Sequence, residues 1–350
     1  MTVTRNTIGI IQVVQIIQGV SGEDRDIAAI LQRSGISPAL LASPLSRVSQ
    51  AQYTALIRTL ARATRDELWG LCSRPVKLGT FAHACRMLVH CRTLREVLQQ
   101  GFHIYHLALE DLVPRLRVEG DVAHVVLQAR AERDAKLRYV ERTFLFFTFG
   151  LACWLAGRRI PLLDVDFSTL DKDLPSDAFR LFQAPLRYQD GQVGFRFEKR
   201  WLDLPVVQTA QSVEEFLRQA PASLVVKYRD QANLTERIRR MLRRHLDGEM
   251  PSLEDVSKAL GVTPQTLRRR LQDEGQGYQA IKDDLRRDAA IEYLARPELT
   301  LIEIANLLGF SEPSTFHRAF KKWTGVAPGE YRHSRLGAGS LGSSAASRPS

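Results

Sequence analysis

Along the first hundred residues of this chain, apolar positions recur at helical spacing. Tyr53, Leu56, Ile57 and Leu60 share one face of 50–62, and 81–88 and 93–100 repeat the period. Gly35 closes one helix and Ser37-Pro38 opens the next. Thr93, followed three residues later by Glu96, predicts a capping box. The rhythm then shifts to alternation. Residues 105–112 and 116–126 read as strands, the second through Leu116, Val118, Val122, His124 and Val126. Residues 139–155, YVERTFLFFTFGLACWL, form the most apolar helical stretch. Residues 162–167 alternate again, 176–181 reads as a short helix, and 186–188 with 194–197 predict a hairpin across Asp190-Gly191.

Beyond residue 230 the period is helical throughout. Residues 301–332 read as two short helices joined by a tight turn. Ile302, Ile304, Ala305, Leu307 and Leu308 pack the first, Gly309 ends it, and Phe310 follows as an apolar plug. Ser311 is expected to cap the second helix, with Glu312 and Pro313 in its first turn. That helix buries Phe316, Phe320 and Trp323 and leaves His317, Arg318, Lys321 and Lys322 on other faces. Residues 253–271, LEDVSKALGVTPQTLRRRL, repeat the design. Gly261 makes the turn, Thr263 and Pro264 open the second helix, and Leu267 and Leu271 anchor it beside Arg268, Arg269 and Arg270. Between the two lies a long helical pattern over 278–294 that can act as a rigid spacer. A short helix, a glycine turn and a cation-bearing helix read as a helix-turn-helix. Either copy alone also reads as an ordinary helical hairpin with a solvated basic face; the recurrence favours the first reading.

These rhythms predict two domains: an α+β domain over 1–220, a connector at 221–232 with a hinge near Pro221, and an all-α double helix-turn-helix domain over 233–333. The tail at 334–350 is small, polar and glycine-rich, and is expected to be disordered. Charge sharpens this picture. The net charge of +10 points to a polyanionic partner such as nucleic acid. Residues 231–335, however, hold 18 Lys and Arg against 15 Asp and Glu, a difference of only +3. The case for DNA therefore rests on placement: Arg237, Arg239, Arg240, Arg243 and Arg244 on one helix, the Arg268–Arg270 run, and Lys321 with Lys322.

Four cysteines without CxxC spacing suit reduced thiols and a cytoplasmic protein. The apolar stretch at 8–20 is interrupted by Gln12, Gln15 and Gln18, which suit the polar face of a short helix, and it is too short to span a bilayer. His103 and His106 could place two ligands on one helix face, near His83, His90, Cys85 and Cys91. Such histidines are more often core or capping residues, and no metal is expected. Glu110, Asp111, Asp164 and Asp166 lack an accompanying nucleophile or phosphate loop, so no enzyme is expected. The aromatic run ending in Trp154 is either core or a pocket wall, which makes Phe144, Phe147 and Trp154 candidate effector-pocket residues.

Both helix-turn-helix motifs and their spacer resemble the DNA-binding domain of the AraC family of bacterial transcription regulators. GFSEPSTFHRAFKKWTGVAPGEYR is similar to that family's most specific signature. SGISPALLASPLSRVS, TLREVLQQGF and LFQAPLRYQDGQVGFRFEKRWLDLPV resemble the larger N-terminal regulatory domain of one branch, often labelled arabinose-binding and distinct from a cupin barrel. The resemblance implies a sequence-specific regulator of promoter DNA that needs no cofactor. It implies activation through RNA polymerase more often than repression, a small-molecule effector held by the N-terminal domain, and it leaves a homodimer open. By position, Gln265, Arg268 and Arg269 in the first recognition helix and Pro313, Ser314, His317 and Arg318 in the second should approach base edges. Thr266, Thr315, Lys321 and Lys322 are candidates for phosphate contacts. Gln265 departs from its branch, where arginine is common. The rival expectation is a DNA-binding regulator whose N-terminal domain is a ligand-free dimerisation or interaction scaffold.

Overall fold

The structure, a computed structural model, describes residues 7–20, 26–172, 178–219, 234–246, 248, 250–273 and 277–336. It opens with β1 (Thr7–Gly9) and α1 (Ile10–Val20), then α2 (Ile27–Arg33), a 3-10 turn at Pro38–Ala42, β2 (Arg47–Ser49) and α3 (Gln50–Thr64). β1 and β2 pair antiparallel. Of the glutamines expected on the polar face of α1, Gln18 is exposed, Gln12 is buried and Gln15 accepts a hydrogen bond from Arg142 at 2.9 Å.

The chain divides into two compact units, but not at a single point. One collects Met1–Ile10, Ala28–Tyr53 and Asp230–Ser350; the other collects Ile11–Ile27 and Thr54–Arg229. One of the divisions falls between Arg229 and Asp230. The sequence rhythm did not anticipate that β1, β2 and the 3-10 turn join the C-terminal helices. Apolar residues at 36, 40 and 48 bury there regardless of their distance along the chain.

The unit built from Ile11–Ile27 and Thr54–Arg229 is α+β. After α4 (Thr80–Leu88) and α5 (Leu94–Ala108) come β3 (Leu112–Glu119), β4 (Val122–Ala129), α6 (Ala135–Leu155), β5 (Asp164–Phe167), α7 (Ala178–Phe182), β6 (Leu186–Tyr188), β7 (Val193–Glu198) and α8 (Ala210–Gln219). The strands form one open sheet in the order β3-β4-β7-β5-β6, with only β5 and β6 parallel. The predicted hairpin across Asp190-Gly191 is therefore absent, because β5 lies between β6 and β7. Residues 105–108 are the last turn of α5 rather than the start of a strand. Thr93 caps α5 by accepting from the Glu96 N–H at 3.3 Å, while the Glu96 carboxylate accepts from Arg92 N at 2.8 Å, so the expected reciprocal box is displaced by one residue.

Burial on most faces of α6 explains its near-continuous apolar sequence. Phe149 meets Phe182 and Phe195 at ring separations of 5.4 and 5.8 Å. The charges that α6 buries are paired: Glu141 with Arg133 at 3.0 Å and Arg142 with Asp171 at 2.7 Å.

The other unit contains α9 (Leu234–Arg243), α10 (Leu253–Ala259), α11 (Pro264–Asp273), α12 (Tyr278–Tyr293), α13 (Leu301–Leu307), α14 (Pro313–Thr324) and α15 (Pro328–Leu336). α12 is more than a spacer: it packs against α9, α14 and β2. It also carries a buried polar network. Asp284 accepts from Arg239 and pairs with Arg287, each at 3.0 Å. Arg287 reaches Asp288 at 3.1 Å, and Asp288 accepts from the Thr7 hydroxyl at 2.5 Å. Arg47 in turn donates to Thr7, and its carbonyl accepts from the Tyr331 hydroxyl at 2.6 Å. Arg239, expected among the DNA-facing cations, is thus a buried structural partner. The expected tail begins later than residue 334, since Ser334–Leu336 continue α15. Residues 337–350 and the 221–232 connector lie outside the described residues.

Candidate nucleic-acid interface

Two three-part units of the same design present the candidate DNA-binding residues. In the first, Ser252 and Asp255 close a capping box on α10, and Thr263 caps α11 by accepting from Thr266 N at 3.2 Å. In the second, Thr300 and Glu303 close the box on α13. The carboxyls of Asp255 and Glu303 are held below their ordinary values, Asp255 chiefly by the Ser252 hydroxyl and Glu303 chiefly by the Thr300 backbone N–H.

Each turn glycine has positive φ, +67° at Gly261 and +71° at Gly309. Gly309 has a second constraint: a Cβ there would collide with the Gly248 carbonyl. The following helix starts at Pro313, with Glu312 in the cap position and making no side-chain cap bond, so the expected Ser311 cap is replaced. Phe310 fills the space behind the turn, 5.7 Å from Phe316 and 6.1 Å from Trp323, with the Arg286 guanidinium 5.1 Å over its ring. Burial holds Arg286 below its ordinary pKa.

The inward faces of both recognition helices are closed. Leu267, Leu271, Phe316 and Phe320 are fully buried, and Phe320 meets Tyr331 edge-on at 5.5 Å. Ile302, expected to pack α13, is instead 60% exposed; Ile304, Ala305 and Leu308 do the packing. With the anchors fixed, Gln265, Arg268, Arg269, Ser314, Arg318, Lys321 and Lys322 are exposed, and Thr266, Pro313, Thr315 and His317 are half-buried. Thr266 shares a hydroxyl–hydroxyl bond with Thr263 at 2.9 Å, and Ser314 donates to Glu312 at 3.2 Å. Among the described residues, Arg268, Arg269, Arg318, Lys321 and Lys322 enter no ion pair. Each helix therefore offers unneutralised cations on one face and a locked apolar face behind them.

The second end of α14 is fastened by residues distant in sequence. Gly325 ends the helix at φ +80°, and the Ser43 and Ser46 hydroxyls donate to the Thr324 carbonyl at 3.0 and 3.2 Å. These contacts satisfy a helix-end acceptor. No feature of residues 301–332 announces them.

In the other unit, α4, α5 and α6 enclose an apolar cleft. Of the candidate effector-pocket residues, Phe144 and Phe147 line this cleft and Trp154 does not, being stacked on Phe216 at 4.1 Å. Tyr105, which sequence reasoning placed in a strand, lines the cleft and meets Phe144 edge-on at 5.1 Å. The inner space is about 70 Å³ and the groove with its open mouth about 650 Å³. None of the lining residues is charged.

His106, exposed at the end of α5, has its Nε2 2.7 Å from the Pro114 carbonyl, and the described residues contain no metal-type cluster. None of the four cysteines forms a disulfide; Cys85 and Cys153 are buried, and burial pushes the Cys85 thiol up to about 12. No described helix is long and apolar enough to cross a membrane.

A paired helix-turn-helix unit with free cations on both second helices defines a DNA-binding regulator. Residues 25–206 match the family model described as the arabinose-binding domain of AraC transcription regulator, N-terminal, and 256–334 match a helix-turn-helix domain. The chain belongs to the AraC family of transcription regulators, which are not enzymes. Over 308 residues it is 30% identical to the ornithine utilization regulator of Pseudomonas aeruginosa, spanning 87% of this chain and 90% of that one. It is 29% identical over 319 residues to an uncharacterized HTH-type transcriptional regulator of Mycobacterium tuberculosis, with the same two coverages. Over 101 residues, 29% of this chain and 30% of the relative, it is 41% identical to the regulator VirS of Mycobacterium tuberculosis.

Proposed function

We propose that this regulator reads promoter DNA with two recognition helices and responds to a small molecule held by its N-terminal unit. Gln265, Arg268 and Arg269 on α11, and Pro313, Ser314, His317 and Arg318 on α14, meet base edges in successive major-groove segments. Thr266, Thr315, Lys321 and Lys322 meet phosphates and set the register. The observation that carries this reading is the pair of exposed, unneutralised cationic faces on helices whose other faces are locked. Arg318 reads guanine through paired hydrogen bonds, and Gln265 reads adenine.

Regulation is by activation, through contact with RNA polymerase, in the cytoplasm, and a homodimer fits this mode of action. The effector acts by favouring one arrangement of the units over another. The scaffold alternative, with no ligand in the N-terminal unit, draws no support from a specific feature, whereas the apolar cleft supports the effector reading.

The test is selection of preferred duplexes from a random library by the full chain, followed by affinity measurements on the winning site. Arg318→Ala is expected to weaken specific binding by about 1–3 kcal/mol and to relax preference at one base position. Lys321→Ala is expected to lower affinity for all duplexes and to reduce the salt slope by about one unit. Equal loss from Arg318→Ala on selected and random DNA would reduce Arg318 to a phosphate contact.

A further inference from the structure

The cleft between α4, α5 and α6 has a chemistry that narrows what can enter it. Its wall is aliphatic and aromatic, from Leu88, Leu98, Phe102, Phe144 and Phe147, with hydroxyls only from Tyr105, Thr143 and Thr148. An ammonium or carboxylate placed there would lose water and find no opposite charge among the lining residues, and the nearby Glu67 carboxylate is already held by the Gly79 and Phe81 N–H groups. The Tyr105 hydroxyl makes no hydrogen bond among the described residues. It is therefore a polar handle without a partner, set in an apolar wall. Phe81, Phe147, Thr148 and Leu151 are half-buried, and they mark the mouth. The enclosed space of about 70 Å³ is smaller than a whole small-molecule site, so it admits only a narrow arm, with the rest of the ligand in the open mouth.

We propose that this cleft binds an uncharged small molecule through an apolar arm, alkyl or aryl, that carries one hydroxyl or carbonyl for the Tyr105 hydroxyl. This deepens the effector reading above and rests on it. Free amino acids, whose two charges the cleft cannot pair, are excluded as its ligands. The relative concerned with ornithine utilization therefore does not lend its metabolite to this site. Burial of the Tyr105 ring and the nearby Glu67 carboxylate hold the phenol above its ordinary pKa, so it stays a donor across the physiological range.

The experiment uses the full chain and three probes: 4-phenylbutan-1-ol, the amine 4-phenylbutylamine of nearly the same shape, and L-ornithine. Thermal melting is followed against probe concentration, since a ligand of the folded state raises the melting temperature. The alcohol is expected to raise it and the amine and ornithine are not. Tyr105→Phe is expected to raise the half-saturating alcohol concentration about three- to tenfold, the worth of one neutral hydrogen bond. Thr148→Phe closes the mouth and is expected to abolish the response. If Thr148→Phe does not fold, Leu151→Trp, also at the mouth, serves instead. Protection by ornithine or the amine equal to that by the alcohol, no protection by the alcohol, or protection unchanged in the closed variant overturns the proposal. Affinity for the selected duplex separates the two levels. Alcohol bound in the cleft with no change in DNA affinity leaves the ligand class standing and removes the effector role. A change in DNA affinity caused by ornithine, without alcohol binding, does the reverse.

Discussion

The DNA-binding unit and the cleft-bearing unit both bury paired charge, but they differ in what surrounds it. In the first, a chain of ion pairs and hydrogen bonds runs from Arg239 through Asp284, Arg287 and Asp288 to Thr7 and Arg47. Such contacts are directional, so they fix helices in place as well as attract them. In the second, the interior around α6 and the sheet is built from aromatic rings, and the apolar cleft opens beside it. Apolar contact is non-directional and tolerates small displacements. The difference suits the two tasks. A double helix-turn-helix must hold two helices in one register against DNA, and a unit that responds to a ligand, as proposed above, must be able to yield.

The largest expected effects test this contrast directly. Asp284→Ala leaves Arg239 and Arg287 without a shared partner and is expected to cost about 3–5 kcal/mol. Phe149→Ala empties the space between Phe182 and Phe195 and is expected to cost about 3–5 kcal/mol. Urea unfolding gives the magnitudes, and hydrogen exchange read by mass spectrometry gives the location. Protection should fall in α9 and α12 for the first variant, with DNA binding lost, and in α6, α7 and β7 for the second. Equal loss of protection in both units for either variant would break the comparison.

The smallest effect concerns acid. Asp255 and Glu303 are held below their ordinary values of 3.8 and 4.5 by the caps they complete. A depressed folded pKa means that the stabilisation is complete above the ordinary value and is lost as pH falls through the lower folded value. Fraying of α10 and α13 is therefore expected to begin only below about pH 4, and nuclear magnetic resonance titration of the two carboxyls reads it. Unshifted midpoints in the folded chain would remove the caps from the account.

What was legible in the sequence follows from range. Gly261, Gly309, Pro264, Pro313 and the Phe316–Phe320 spacing act within a few residues, so the helix-turn-helix pair and its outward cations could be read directly. The strand pairing could not: Leu186–Tyr188 and Val193–Glu198 have turn chemistry between them, yet β5, from 20 residues earlier, takes the place between them. Arg239 looked like a surface cation because its partner Asp284 lies 45 residues away. Tyr105 looked like a strand residue because apolar content favoured alternation, and only the packing of α5 on α6 makes it a cleft residue. Of the aromatic run, Phe144 and Phe147 line the cleft, whereas Trp154, about two helical turns beyond Phe147, is covered by Phe216.

The pairing of β1 with β2 beside α12 and α15 bears on how relatives of this protein can exchange parts. A hybrid joined once, somewhere in 220–233, would deprive Asp288 of Thr7, Tyr331 of the Arg47 carbonyl, and Thr324 of two serine hydroxyls. Inheritance of the DNA-reading half therefore needs three pieces of chain in one transaction, and crossovers that respect only the reading order of the gene yield a protein with an unfinished core.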